Sequence, residues 1–413
     1  MGIVVQKFGG SSVSTAAKIH KAAEKIIAAK KAGREVVVVV SAMGDSTDHL
    51  IALAREICAN PPKREMDQLL ATGEQVAIAL IAMAIHAQGF EALSFTGGQI
   101  GLITDAVYSK ARIQKIDHSR ITHELSQGRI VIVAGFQGIT SDGHVTTLGR
   151  GGSNATLVAL GAVLHAEVCE NYTDVDGVFT ADPRIVPNAR KIGRISYDEM
   201  LELSSVGAGV LQTRAVEFAK KYNVPIHVRN SAHDGEGTWI VAETPAMEHI
   251  LVSGCALKTD LTRVTLKNIP DRPGIVARIF TAIGAANIVV DDIIQNVMDD
   301  GTANISFTVE HGDMADLKLV VEKLLAELGG AANYNRDLAK VSVVGVGMKQ
   351  ATGVASTMFR ALAQQQVNIQ NISTSEIRIS CLVAREDAQK ALQAVHAAFG
   401  LDKAAQAGGK GDD

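Results

Sequence analysis

The sequence predicts an α/β sandwich with a largely parallel central sheet, followed by two smaller α+β domains. Over roughly the first 245 residues, apolar strand-like runs alternate with helix-like segments. One run, Val36–Val40, consists of five consecutive valines, which is typical of a strand buried on both faces. After Thr244-Pro245, two segments resemble each other at a spacing of about 80 residues, and such a repeat indicates a duplicated module.

The elements of the first domain are predicted from apolar runs for strands and from apolar residues at helical spacing for helices. The strand runs are Ile3–Gln6, Val36–Val40, Ile130–Ala134 and Val224–Val228. The helical segments are Ala16–Ile27, Met66–His86 and Asn154–His165. Because the two kinds of segment alternate, we expect most strands to run parallel, with helices packed on the sheet.

The two repeated segments share the order strand, glycine turn, helix, Asn-Ile strand start, hairpin partner and second helix. The first contains Asp271-Arg-Pro-Gly-Ile-Val, Ala286-Asn-Ile288 and the strand Ala303–Val309. The second contains Ala351-Thr-Gly-Val-Ala, Val367-Asn-Ile369 and the strand Ile377–Val383. The order of elements predicts a pair of small α+β modules.

One module is expected to be inserted into the other, because the strand-like run Ile250–Leu257 suits a pairing with Val341–Val346. The predicted boundaries are then 1–245 for the first domain, 263–337 for the inserted module, and 246–262 plus 338–401 for the outer module. Residues 402–413 are rich in Gly, Lys and Asp, a composition that predicts a disordered tail.

Bulk composition excludes several classes of protein. A formal net charge of −4 over 413 residues gives no electrostatic basis for nucleic-acid or membrane binding. The four cysteines form no C-x-x-C pair, which argues against a zinc site and suits a reducing compartment. No basic N-terminal signal is visible, and the apolar stretch Val76–Ile85 is too short to span a bilayer. We therefore expect a cytoplasmic protein.

Two glycine-rich loops, each leading into a helix, are the main chemical signal in the first domain. They read Lys7-Phe-Gly-Gly-Ser-Ser12 and Gly149-Arg-Gly-Gly-Ser-Asn154. Backbone N–H groups in such loops and the helix N-terminus bind anions, and Lys7 adds a mobile cation. The Walker A spacing is absent. A Gly-Gly pair after a strand is also a common tight turn, but two such loops in one domain favour phosphate binding.

Five motifs occur in the order found in the aspartate kinases, and the chain resembles that family from Val4 to about Phe399. The motifs are the Lys7–Val13 loop, Ser41-Ala-Met-Gly-Asp45, Leu70-Ala-Thr-Gly-Glu74, Gly149–Ser153 and Thr173-Asp-Val-Asp-Gly-Val-Phe-Thr-Ala-Asp-Pro-Arg184. The last is long and specific. The resemblance implies an amino acid kinase domain followed by two ACT domains, as in single-function members that are feedback-regulated.

The resemblance also implies roles for residues of the first domain. ATP would be bound by Lys7, Phe8, Gly9, Gly10, Ser41, Thr173, Asp174, Phe179, Arg184 and position 209. L-Aspartate would be bound by Thr47, Glu74, Arg150, Gly151 and Ser153, with Glu74 facing its ammonium group and Arg150 its α-carboxylate. Lys7 and residue 154 would act in catalysis, with Mg²⁺ accompanying the ATP and no protein metal ligand assigned.

The chemistry of a carboxylate acceptor agrees with this set of residues. A free aspartate side chain has a pKa of about 3.9 and is ionised at neutral pH, so it needs no general base to attack phosphorus. The protein must align the reactants and neutralise charge on the transferred phosphoryl group. Lys7, loop amides, helix N-termini and Mg²⁺ suit that task.

Two positions depart from the family pattern. The family loop reads G-R-G-G-S-D, whereas this chain has Asn154, which keeps the shape of the side chain and loses its charge. Gly209 stands where the family has a nucleotide-contacting lysine. These departures leave open an alternative, a non-catalytic relative that senses amino acids. A kinase for another small acceptor is disfavoured because those relatives lack the tandem ACT domains.

The resemblance further implies an allosteric site in each ACT domain for lysine, threonine or both. In the first, the matching residues are Asp271, Gly274, Ile275, Gln295 and Asn296; in the second they are Asn368, Ile369, Ser375 and Glu376. Such residues also commonly cap turns. ACT domains usually pair across a dimer, so we expect a homo-oligomer, a dimer or a tetramer. Met247 stands where some relatives begin a separately translated regulatory subunit.

Overall fold

A computed structural model of the chain describes residues 2–149, 151–244 and 250–403. They form two compact units. The first comprises residues up to 180 together with 190–205 and 209–250, and the second comprises 181–189, 206–208 and the chain from 251 onward.

The strands of the first unit form an eight-stranded sheet and a smaller four-stranded sheet. They are β1 Ile3–Phe8, β2 Glu35–Val40, β3 Ala92–Phe95, β4 Leu102–Thr104, β5 Ile113–Ile116, β6 Ile130–Ala134, β7 Gln137–Ile139, β8 Val145–Thr147, β9 Val168–Thr173, β10 Arg194–Ser196, β11 Ile226–Asn230 and β12 Thr238–Val241. The large sheet has the order β10-β12-β11-β9-β1-β2-β6-β3. Its neighbours are parallel except β11 and β12, so the prediction of a largely parallel sheet is confirmed.

The helices of the first unit are α1 Ala16–Lys31, α2 Ser46–Ile57, α3 Lys63–His86, α4 Ser119–Ser126, α5 Gly152–Val163, α6 Tyr197–Ser205 and α7 Thr213–Tyr222. Helix α1 begins after Thr15, whose side chain accepts a hydrogen bond from the Lys18 amide and so satisfies one amide of the first turn. Its buried face, which includes Ile19, Ala23 and Ile26, packs in the core with the valines of β2.

The carboxyl ends of the central parallel strands meet at one edge of the large sheet. The register pairs Phe8 with Val40 and with Tyr172, and Val40 with Ala134. The loops that follow β1, β2, β6 and β9 therefore leave the sheet side by side. This edge is where ligands bind in open α/β sheets.

The second unit contains two four-stranded antiparallel sheets with the orders β13-β18-β20-β19 and β15-β16-β14-β17. The strands are β13 Gly254–Lys258, β14 Thr262–Pro270, β15 Asp291–Val297, β16 Thr302–Val309, β17 Ala331–Asn335, β18 Leu338–Val344, β19 Asn371–Thr374 and β20 Arg378–Ala384. The helices are α8 Ile275–Ala285, α9 Met314–Leu328, α10 Val354–Gln364 and α11 Ala388–Ala398. Strand β13 pairs with β18, although the whole sheet of β14–β17 lies between them in the chain.

Two details differ from the sequence prediction, and two predicted features lie outside the described residues. The Asn-Ile pairs do not start strands: Asn287 has a left-handed backbone with φ 55°, and β15 begins only at Asp291. The run predicted at Val224–Val228 is a strand only from Ile226, because Pro225 precedes it and proline cannot donate to a ladder. The predicted tail, from residue 404 onward, and Met247 lie outside the described residues.

A buried ionic cluster links the two sheets of the second unit. Lys340 on β18 is 2% exposed, and its Nζ lies 2.7 Å from Asp291 Oδ2 and 2.5 Å from Asp292 Oδ2 on β15. The β15–β16 register shifts between Asp291 and Ile294, and Asp292 has φ 49°. The irregular start of β15 therefore directs two carboxylates at one buried amine.

Among the described residues, α3 alone has the length and apolar composition of a membrane-crossing helix. Half of its most apolar stretch is buried inside the fold, where it packs against α1 and β6. It also carries two buried carboxylates, Asp67 and Glu74. A core helix meets the same criteria of length and composition, and α3 has the contacts of one.

Candidate active site

A cavity of about 390 Å³ opens at the carboxyl edge of the large sheet. It brings together eight of the predicted site residues, which are Lys7, Gly10, Ser41, Thr47, Glu74, Gly151, Ser153 and Asn154. In the sequence these residues lie in four separate segments. The fold gathers them because the loops after parallel strands share an edge.

Lys7 places a buried amine in this cavity. It lies on β1, one residue before the strand ends, and is 8% exposed. Burial lowers the pKa of Lys7 to about 8, and the charge of Asp174 opposes that shift. A Cβ on Gly9 would lie 3.4 Å from Lys7 Nζ, so the amine lies over the glycine turn.

The Gly9-Gly10 turn packs closely on the loop that follows β2. The Gly44 amide donates to the Gly10 carbonyl oxygen at 3.0 Å, and the Ser41 amide donates to the Phe8 carbonyl at 3.1 Å. A side chain at residue 10 would collide with the Ala42 carbonyl oxygen, which lies 2.7 Å from the Cβ position. Glycine is needed here because two backbones approach each other.

The second glycine-rich loop forms the N-terminus of α5. Gly151 has φ 74° as the residue before the helix, a conformation that glycine adopts without strain. A Cβ on Gly135 would lie 2.6 Å from Ser153 Oγ, so the helix start is packed against the loop after β6. The first-turn amides of α5 leave a partial positive charge at this side of the cavity.

Asn154 and Glu74 each present a buried oxygen that accepts no hydrogen bond from the described residues. Asn154 is 7% exposed and its Oδ1 has no partner there. Glu74 is 3% exposed; its Oε1 accepts from the Ala42 amide at 3.0 Å, while its Oε2 has no partner. Burial raises the pKa of Glu74 to about 7. Unsatisfied buried acceptors are costly, and a ligand ammonium would satisfy them.

Several predicted residues do not line this cavity. Phe8 is a core residue whose ring stacks on Tyr172 at 4.8 Å between centroids. The others that do not line it are Gly9, Thr173, Asp174, Phe179, Arg184 and Gly209. Arg184 falls in the second compact unit and pairs with Asp182 at 2.6 Å. Arg150 lies outside the described residues.

Sequence reasoning missed several residues of the site. Asp67, fully buried on α3, accepts hydrogen bonds from Ser109 and Thr147, and both of these line the cavity. Asn171 is fully buried opposite Lys7 in the β1–β9 register. A spacing of seven residues between Asp67 and Glu74 was the available signal, because it places both on one face of a helix.

The described residues include no group of three or more His, Cys, Asp or Glu side chains that could hold a metal ion. Mg²⁺ commonly binds through one or two carboxylates together with substrate phosphates. Asp174, whose charge acts on Lys7, is an exposed carboxylate of the kind such an ion binds. The donor set therefore fits an ion that is carried in by a nucleotide.

In the second unit the residues predicted to bind effectors are largely exposed. Gly274 has φ 92° at the start of α8, as a turn with outward amides requires. Gln295 Nε2 donates to Asp271 Oδ1 at 3.1 Å, so these two predicted residues meet. Gly353 has φ 87° at the start of α10 and repeats the glycine turn, although the sequence around it differs.

Comparison with known proteins agrees with this architecture. The amino acid kinase family matches residues 2–230, and ACT domains match residues 264–329 and 341–399. An aspartokinase of Pseudomonas aeruginosa is 48% identical over 411 residues, which is 99% of this chain and 100% of the relative. Aspartokinase 2 of Bacillus subtilis is 50% identical over 98% of this chain and 99% of that protein.

The chain belongs to the aspartate kinase family. The predictions of the family, of an amino acid kinase fold with two ACT domains and of an enzyme are thereby confirmed.

Solved aspartate kinase structures show the same fold. The Escherichia coli aspartokinase III complex with aspartate and ADP (R-state) superposes with a TM-score of 0.84 at 26% identity, covering 96% of this chain and 99% of that one. The complex of the same enzyme with lysine and aspartate (T-state) gives 0.71 at 25% identity over 96% and 99%.

Proposed function

We propose that the chain transfers the γ-phosphate of ATP to the side-chain carboxylate of L-aspartate, giving 4-phospho-L-aspartate and ADP. This would be the first step toward lysine, threonine and methionine. The observation that carries the proposal is the cavity itself, which sets the buried Lys7 amine and the start of α5 against the buried Glu74 carboxylate. Such an arrangement suits an anion at one end and an ammonium at the other.

The nucleotide phosphates would lie along Lys7, Gly9 and Gly10, with Ser41 beside the phosphoryl path. Lys7 and the amides at the start of α5 would stabilise the charge that builds up on the transferred group. The remaining nucleotide contacts are assigned to the backbone of Phe8 and to Thr173, Asp174, Phe179, Arg184 and Gly209. Mg²⁺ bound to ATP would supply further charge neutralisation.

Aspartate would be held by Thr47, Glu74, Arg150, Gly151 and Ser153. Glu74 Oε2, which has no hydrogen-bond partner among the described residues, would accept from the substrate ammonium. Asn154, buried beside Ser153 in α5, would orient the acceptor through its amide in place of the family carboxylate. No general base is required, because the attacking carboxylate is ionised at neutral pH.

The ACT domains would bind lysine, threonine or both and lower the activity. Support comes from the Gln295–Asp271 contact beside the Gly274 turn, and from the lysine complex of the E. coli relative. We extend the proposal to a cytoplasmic homo-oligomer, dimer or tetramer, paired through its ACT domains. A separately translated regulatory subunit starting near Met247 belongs to the same proposal.

A coupled assay of ADP release with purified chain, ATP, Mg²⁺ and aspartate tests the activity. Turnover that requires aspartate, and that falls on addition of lysine or threonine, is expected. Aspartate-independent background, with amino-acid binding retained, would instead favour the non-catalytic sensor suggested by Asn154 and Gly209. Omitting Mg²⁺ should abolish turnover, and sedimentation of the same sample reports the oligomeric state.

A further inference from the structure

Asp67 is a buried carboxylate that the proposed reaction leaves without a role. It is fully buried in the first turns of α3, where an unpaired charge would be costly. Its oxygens accept hydrogen bonds from the Ser109 amide at 2.9 Å and the Thr147 amide at 2.8 Å. The Thr147 hydroxyl donates to it at 2.8 Å and the Ser109 hydroxyl at 3.3 Å. These four hydrogen bonds make Asp67 an anchor that holds Ser109 and Thr147 in place.

Both anchored residues line the active-site cavity. Ser109 has a left-handed backbone with φ 69°, which a non-glycine residue adopts only when its surroundings impose it. A Cβ on Gly149 would lie 3.0 Å from the Ser109 carbonyl oxygen, so Ser109 packs on the start of the second glycine-rich loop. Thr147 precedes that loop by two residues. Asp67 thus fixes two points on one wall of the cavity.

The anchor also sets the polarity of this wall. A hydroxyl has one proton to donate and two lone pairs. Because Asp67 accepts the hydroxyl protons of Thr147 and Ser109, these two oxygens are left to act toward a ligand as acceptors. Glu74, two helical turns farther along α3, lines the same cavity, and its Oε2 has no hydrogen-bond partner among the described residues. Helix α3 therefore builds an acceptor end that is suited to an ammonium group.

We propose that Asp67 is a positioning residue that orients Ser109 and Thr147 to recognise the ammonium group of the amino-acid substrate. This inference rests on the proposed function and adds a specificity determinant to it. It assigns the discrimination between an α-amino acid and a plain dicarboxylate to α3 and to the two hydroxyl groups that α3 orients. The Lys7–Ser12 loop, which is assigned to the phosphates of the nucleotide, has no part in it.

The test is the Asp67→Asn variant, which keeps the volume and turns one acceptor into a donor facing the Ser109 and Thr147 amides. KM for aspartate is expected to rise about 30-fold, since a wall displaced by a fraction of an ångström loses oriented contacts. KM for ATP should change less than twofold. Inhibition by succinate, a dicarboxylate without an ammonium group, should weaken far less than aspartate binding does.

Glu199→Gln is the matched control, because Glu199 is 2% exposed and accepts from the Ser196 amide and hydroxyl at 3.1 and 2.8 Å in the same unit. It should lose stability with KM for aspartate unchanged. If Asp67→Asn does not fold, Thr147→Val removes one oriented hydroxyl and should still raise KM for aspartate. An unchanged KM, or equal losses for aspartate, succinate and ATP, would overturn the inference. Wild-type protein without aspartate-dependent turnover would instead refute the proposed function.

Discussion

The kinase cavity and the predicted effector residues differ in how deeply their polar groups are buried. In the cavity, Lys7, Glu74 and Asn154 are each less than a tenth exposed. In the ACT domains, Gln295 and Asn296 are exposed on β15. The polar groups of the cavity are buried before any ligand binds, whereas those of the predicted effector sites are exposed to solvent.

The two regions therefore gain affinity for a ligand in different ways. Buried groups are already desolvated and interact strongly with a ligand, at a cost to folding that the rest of the domain offsets. Exposed groups bind tightly only when a ligand or a second protein surface removes them from water. We therefore expect substitutions in the cavity to have large effects on catalysis, and substitutions at the effector residues to have smaller effects on regulation.

The largest effect is expected for Lys7→Met. Loss of the buried amine should lower kcat/KM by about 1,000-fold, since removal of one preorganised charge-stabilising donor costs 100- to 1,000-fold. Steady-state assays at saturating and limiting ATP measure it, with thermal unfolding as the check on folding. A decrease of less than tenfold would remove Lys7 from the mechanism.

Lys7 also predicts opposite pH responses for activity and stability. Its pKa of about 8 in the fold lies below the ordinary 10.5, so kcat/KM for ATP should fall as pH rises through 8. Between pH 8 and 10.5 the unfolded chain binds more protons than the folded chain. The cost of burying the charged Lys7 amine therefore falls as pH rises over this range. Wild type should therefore gain stability relative to Lys7→Met over that range. Parallel titrations of activity and unfolding free energy measure both responses.

The second unit also contains buried charges, in the ion cluster around Lys340. Lys340→Met would leave Asp292, with a side chain 2% exposed, buried without its cation, at a cost of about 3–5 kcal/mol in unfolding free energy. Lys258→Met, which removes a partly exposed pair 3.1 Å from Glu310, should cost less than about 1 kcal/mol. Chemical denaturation compares them, and equal losses would show that burial is not what matters.

Glu74→Gln separates the effect on substrate binding from the effect on stability. KM for aspartate should rise about 30-fold, as expected for one hydrogen bond to a charged group. The pKa of Glu74 is raised from 4.5 to about 7 by burial. The folded protein therefore loses stability as pH rises through 7 and Glu74 ionises. The variant should accordingly be more stable than wild type at pH 8. An unchanged KM together with lower stability would contradict the role assigned to Glu74.

The smallest effect is expected for Gln295→Ala. Loss of its exposed contact with Asp271 should raise the half-inhibitory effector concentration about fivefold, or about 1 kcal/mol, the net value of a typical intramolecular hydrogen bond. Basal activity should stay unchanged. Asn333→Ala, exposed on the opposite edge strand β17, serves as the control and should inhibit normally. Equal inhibition of Gln295→Ala and wild type would place the effector elsewhere.

The sequence predicted best those features that depend on the order of neighbouring elements along the chain. Lys7 and the glycine-rich loops could be assigned because a strand followed by glycines and a helix has one common geometry, and parallel strands bring their ends together. Asp67 could not be assigned in this way. Its partners Ser109 and Thr147 are 42 and 80 residues away in the sequence. Helical periodicity predicts which face of α3 is buried, but it does not predict which loop packs against that face.

Local patterns also failed where a short motif had two outcomes. The Asn-Ile pairs suit the start of a strand, yet Asn287 adopts the left-handed conformation, which asparagine tolerates better than most residues. The strand then begins at Asp291, where the register is irregular and both Asp291 and Asp292 contact Lys340 of the other module. No local sequence pattern predicts a contact between two modules.

The insertion of one ACT module into the other has a consequence for synthesis of the chain. Strand β13 leaves the ribosome about 80 residues before its partner β18, which is about 4–16 s at ordinary translation rates. During that interval the inner module can fold, whereas β13 presents an unpaired edge. The outer module must therefore assemble after the inner one, and a pause in translation between them would prolong the exposure of that edge to other nascent chains.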